Sequence, residues 1–89
     1  MRYFTDFSDA EGLSRDEDGL DFADREEACL SAAEALVEAA HDVLRVRPKL
    51  PLRDRGVGLC LAAQVRDESG CVVFRARLTL DLDWQAQGD

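Results

Sequence analysis

The sequence predicts a two-layer α+β domain of order β-β-α-β-β, with one long helix packed on one face of a small antiparallel sheet. Three observations lead to it. Residues 25–46 carry an apolar stripe at helical spacing behind a capping signal; residues 57–66 and 71–82 alternate on either side of a turn; and residues 2–7 alternate with the same period of two.

The first strand spans 2–7, where Tyr3, Thr5 and Phe7 alternate with Arg2, Phe4 and Asp6. Ser8 to Asp18 is polar and contains Gly12, which reads as a loop rather than a tight hairpin. A short strand over 19–22 follows, with Leu20 and Phe22 on one face.

The helix over 25–46 has the strongest signals. Asp24 is a good N-cap, Glu27 completes a capping box, and Phe22 or Ala23 is placed to staple the entry. Cys29, Ala32, Ala33, Leu36, Val37, Ala40, Val43 and Leu44 form one stripe, whose alanines let the helix lie close to the layer it covers. Acidic residues open the helix and arginines close it, which suits the macrodipole. Pro48 and Pro51 stop it.

In the hairpin, Asp67-Glu68-Ser69-Gly70 is turn chemistry. A four-residue loop sets Val65 opposite Val72, Ala63 opposite Phe74, Leu61 opposite Ala76 and Leu59 opposite Leu78, every pair apolar. A slip by one residue sets Leu61 against Arg77 and Ala63 against Arg75. The outer face then carries Cys60, Ala62, Gln64 and Arg66 beside Val73, Arg75, Arg77 and Thr79, and Phe4 joins it if Tyr3 and Phe7 point inward. The pattern leaves the order of the strands open.

At 89 residues the chain makes one domain, 1–89, with a core just large enough to stand without staples. The net charge of −8 is uneven: residues 1–42 hold thirteen carboxylates against three arginines, while the basic excess lies in Arg45, Arg47, Lys49, Arg53 and Arg55. An acidic body repels phosphate, which argues against nucleic-acid binding. The basic cluster reads as a solvated loop and helix end. No apolar run reaches the length of about 20 residues that spans a bilayer, and no signal peptide is visible, so no membrane role and a cytoplasmic location are expected.

The three cysteines, Cys29, Cys60 and Cys71, lack metal-site or disulfide spacing and read as small apolar residues, buried or half-buried. His41, the single histidine, sits at the edge of the helix stripe with no nucleophile brought to it by a motif. The acidic run Asp16-Glu17-Asp18-Gly19 lacks the alternating ligands of a calcium loop and reads as a solvated turn. Nothing in the pattern argues for a buried carboxylate, and no catalytic residue, cofactor or metal ligand is assigned. Trp84 suits either a core end or an interface.

Met1 to Phe4, Asp9 to Leu13, Arg15 to Phe22, Asp24 to Ala28 and the hairpin Val65 to Phe74 together resemble a family of short alphaproteobacterial proteins classed as a domain of unknown function. The resemblance runs along the whole chain and rests on turns, a cap and strand alternation. It implies a fold and carries over no catalytic or binding residue. Arg47 to Arg55 departs from the family pattern. A lesser likeness is to HicB-type antitoxins, although their Leu-Pro-Gly-Cys turn before the helix is missing.

The expected function is a self-associating protein-interaction module without enzymatic activity, with Phe4, Val73, Arg66, Arg75 and Arg77 as the candidate interface. The alternative is an acidic antitoxin or inhibitor that covers a basic partner protein.

Overall fold

The computed structural model describes residues 1–9, 11–46 and 57–82. Its elements are β1 (Arg2–Asp9), β2 (Gly12–Ser14), β3 (Leu20–Asp21), α1 (Arg25–Val46), β4 (Val57–Arg66) and β5 (Val72–Leu82). One helix packs on a five-stranded antiparallel sheet of order β2-β1-β4-β5, with β3 pairing the start of β1. The α+β class is therefore as the sequence predicts. The basic stretch from Arg47 to Arg55, both prolines and Trp84 lie outside the described residues.

The first departure is in the acidic loop. β1 runs on to Asp9 and turns back into β2, pairing Phe7 with Ser14 and Asp9 with Gly12. All three residues of β2 are exposed, so no alternation of burial marks it as a strand. The short strand expected over 19–22 shrinks to Leu20 and Asp21. Leu20 is exposed, and Phe22 leaves the strand to pack inward against Tyr3, their rings 6.3 Å apart.

The hairpin register is the second departure. Val65 faces Phe74, Ala63 faces Ala76, Leu61 faces Leu78 and Leu59 faces Leu80. Each pairing lies two residues from the expected one, so from Phe74 onward the faces are kept while every partner changes. A register shift beside Val65 and Arg66 leaves Val73 as the extra residue of a β-bulge. A bulge lets two successive side chains share a face. Val73 and Phe74 both pack against the buried cluster of Tyr3, Ala28, Ala32 and Val65, while Val72, expected inside, is exposed. Val73 is thus a core residue rather than part of an outer interface. The turn closes through Asp67, whose Oδ1 accepts from the amides of Ser69 and Cys71 at 2.9 and 3.0 Å, with Gly70 at φ +92.

The cap on α1 forms largely as expected. Asp24 Oδ1 accepts from the Glu27 amide at 2.9 Å, and the Glu27 carboxylate accepts from the Ala23 amide, one residue before the cap, at 2.7 Å. The buried line of the helix is Ala28, Ala32, Leu36 and Ala40, each four residues from the last. Three small side chains bring the helix close over Leu61, Ala63 and Val65 of β4. The predicted stripe is wider than the arc the sheet covers, so Val37 and Leu44 are left 59% and 43% exposed.

Because Ala28 is 0% exposed and packed in the cluster with Tyr3 and Val65, Ala28→Leu has no room to be accommodated. It is expected to cost about 1–3 kcal/mol by overpacking, read as a lowered urea midpoint. Ala33→Leu, on the half-buried flank, should cost less.

Candidate functional site: the outer sheet face

The helix covers one face of the sheet; the other is built from alternate residues of β1, β4 and β5. β1 and β4 pair with Phe4 opposite Arg66 and Asp6 opposite Gln64. That register places a carboxylate, an amide and a guanidinium on neighbouring outward positions. Asp6 is nevertheless only 1% exposed and Arg66 8%. Arg66 Nε donates to Asp6 Oδ2 at 2.8 Å and its Nη2 to Oδ1 at 3.0 Å, a two-point pair. Gln64 Nε2 adds a bond to Oδ2 at 2.9 Å, and the Asp16 amide one to Oδ1 at 3.0 Å.

The acidic loop is the lid on this pair. Besides donating its amide to Asp6, Asp16 accepts from Arg66 Nη2 through its carbonyl at 2.8 Å. Its own carboxylate turns back to the chain, Oδ2 taking the Thr5 amide at 3.1 Å and Oδ1 the amides of Asp18 and Gly19 at 3.1 and 3.0 Å. Gly19 then lies on the Phe4 ring at φ +73, where an added Cβ would stand 2.8 Å from Phe4 Cε2. Phe4 in turn lies under the Arg66 guanidinium, 5.0 Å from ring centre to Cζ. Segment 15–19, which reads as a solvated turn, is therefore bonded into the sheet at Asp16 and Gly19. Only Glu17 and Asp18 keep the expected exposure, with Arg15.

The electrostatics follow from these bonds. The Arg66 guanidinium holds the Asp6 carboxyl well below the usual carboxylate range, outweighing the opposing effect of burial. Asp6 raises Arg66 in return. Burial pushes Asp16 up, but the amides of Gly19, Thr5 and Asp18 outweigh it and hold the group below its ordinary value. Carboxylates stabilised in the charged form, with every buried side-chain oxygen bonded, are poor proton acceptors. This node is built to hold strands together.

The expected interface residues thus separate. Arg66 is buried and committed to Asp6, which removes it from the candidate surface. Phe4 is half-buried between Arg66 and Gly19, and Val73 belongs to the core. Arg75 and Arg77 remain exposed, beside a shallow concavity lined by Ser8, Leu13, Ala62 and Gln64. Among the described residues no carboxylate pairs with either arginine. Cys60 and Cys71 are exposed, against the expectation of burial, because one lies on the uncovered face and the other ends the turn. Cys29 is half-buried, and burial raises its thiol above the ordinary value. His41 is exposed on α1. No group of three potential metal ligands occurs among the described residues, and no helix there is long and apolar enough to cross a membrane.

The fold and its buried node define an antiparallel two-layer α+β domain, one sheet face under a helix and the other partly closed by an acidic loop. The chain belongs to the DUF6894 family, a domain of unknown function, whose profile matches residues 2–79. No curated protein and no solved structure matches it.

Removing the charge of Asp6 leaves Arg66 buried without a counter-ion. Asp6→Asn should therefore cost about 3–5 kcal/mol, measured by urea unfolding, and Asp6→Leu combined with Arg66→Met should cost less than either single change. Since the folded-state value of Asp6 lies below its unfolded value of about 3.9, its contribution is complete above that pH. It is lost as pH falls further towards the folded-state value, so the urea midpoint should drop progressively below about pH 4. Gly19→Ala meets both positive φ and the Phe4 ring and should cost more than Gly70→Ala, where φ is positive but nothing lies within 4 Å.

Proposed function

We propose that this domain is a protein-interaction module that self-associates and performs no chemistry of its own. The observation that carries this reading is a line of large apolar side chains on the solvent side of α1. Leu30, Val37 and Leu44 recur every seven residues and are 60%, 59% and 43% exposed. One large apolar side chain every seven residues sets three exposed anchors along one side of the helix, a surface that a second copy or another protein can bury. The low-lying carboxylates of the outer face support the non-enzymatic part, as does the placement of His41 away from them. The reading places the module in the cytoplasm, where its free cysteines stay reduced, with a second copy or another protein as partner rather than nucleic acid, a membrane or a cofactor.

A second reading has one observation in its favour. Glu27, Glu34, Glu38 and Asp42 are exposed along the flank of α1 next to the apolar line. Such a row suits a basic protein partner, as for an antitoxin or inhibitor, and predicts binding that weakens steeply with salt.

Light scattering over a concentration series tests self-association. Val37→Glu, at an exposed position, should leave the thermal midpoint nearly unchanged at concentrations where both proteins are monomeric, and weaken association at least about tenfold, as expected for a charge placed in an apolar contact. A strict monomer at high concentration, indifferent to this substitution, would exclude the reading.

A further inference from the structure

We propose that two copies join edge to edge through β5, in an antiparallel register that sets Asp81 of each against an arginine of the other. This rests on the self-association reading and specifies its geometry. Among the described residues, the eleven-residue β5 pairs only with β4, which leaves its other edge as a row of unpaired backbone donors and acceptors.

The strand matches itself when reversed. Ala76, Leu78 and Leu80 alternate on the helix side; Arg75, Arg77, Thr79 and Asp81 alternate on the outer side. A two-fold axis through any one residue keeps apolar against apolar, and charge then selects among the positions. Axes at Arg75, Ala76 or Arg77 bring arginine against arginine, which is unfavourable for directly opposed side chains. An axis at Leu78 sets Arg75 against the partner's Asp81, and one at Thr79 sets Arg77 against it. Each of these two registers gives a carboxylate to one outer arginine that has none among the described residues, while matching Leu78 with itself or with Leu80.

The helix points to the same place by a separate route. α1 packs over β4 and β5, and its Ser31 and Ala35 flank faces Leu20 and Phe22 on the β1–β3 side. At 100° per residue, Leu30, Val37 and Leu44 lie on the opposite shoulder, towards the free edge of β5. Leu36 and Ala40 belong to the cluster that Ala76 and Leu78 pack against, so Val37 sits along the Ala76–Leu78 stretch of β5. The apolar line is symmetric about Val37, with Leu30 and Leu44 seven residues to either side. One two-fold axis near Leu78 therefore pairs both the strands and the helices, Val37 with Val37 and Leu30 with Leu44. An interface of this kind is isologous and closes at two copies.

The test uses the full chain at low salt. Asp81→Arg should weaken the dimer about tenfold, and adding either Arg75→Asp or Arg77→Asp should restore it to within about threefold, the restoring partner locating the axis. Hydrogen exchange should slow at alternate β5 amides as concentration is raised through the dissociation constant. If Asp81→Arg has no effect, or neither swap restores it, or the β5 amides exchange alike in both states, the edge pairing is overturned. If association nonetheless persists and Val37→Glu abolishes it, the self-association reading stands without this geometry. If the wild-type chain never associates, both fall.

Discussion

The pairing of Asp6 with Arg66 is the constraint on which the outer half of this molecule is arranged. Two charges removed from water need near-complete compensation, because the desolvation cost of each is several kcal/mol. Here it comes from two guanidinium bonds, an amide side chain and a backbone amide. The backbone amide belongs to Asp16, so satisfying the ion pair also fixes the loop. Fixing the loop places Gly19 on Phe4, and Phe4 backs the guanidinium. The circle explains why a segment that is acidic throughout lies against the sheet.

The two faces of the sheet use opposite strategies. Beneath α1 the contact is apolar and close, with small residues on the helix and larger ones on β1, β4 and β5. On the other face the first half of the strands is sealed by a polar network, while the second half, around Ala62, Arg75 and Arg77, has no layer over it among the described residues. The β-bulge at Val73 lies at the sealed, turn end of the hairpin. It turns an extra side chain into the core at the turn end of β5 and leaves the remainder of the strand regular.

How much of this was legible follows from which signals are local. The helix limits 25–46 and both hairpin strands were readable, because capping, periodicity and turn chemistry act within a few residues. The faces of the hairpin were readable for the same reason. Its register was not, since a two-residue shift preserves the inside–outside assignment of every residue from Phe74 onward, and only the bulge beside Arg66, which exchanges the faces of Val72 and Val73, distinguishes the alternatives. Asp6 was placed on the outer face beside Phe4, yet its burial was hidden. That depends on β1 lying next to β4 and on a loop sixteen residues into the chain folding back over it. An aspartate on one strand and a glutamine and arginine two apart on another are the available signal, and it becomes one only once the strand order is known. The exposed line on α1 was partly misread, because Val37 and Leu44 fit the inward stripe as well as an outward one.

The sequence distance spanned by the ion pair has a consequence for how the chain assembles. Asp6 and Arg66 are 60 residues apart, whereas α1, β4 and β5 are consecutive. Closing a loop of that length carries an entropic cost before any contact repays it, so local elements have the advantage early in folding. With β1 unpaired, a β4–β5 hairpin would present its β4 edge to solvent with Gln64 and Arg66 hydrated. A charged residue on an open edge discourages pairing with stray strands. The same arginine would thus be unfavourable to wrong strands on that edge, and Asp6 is the partner that makes its burial tolerable.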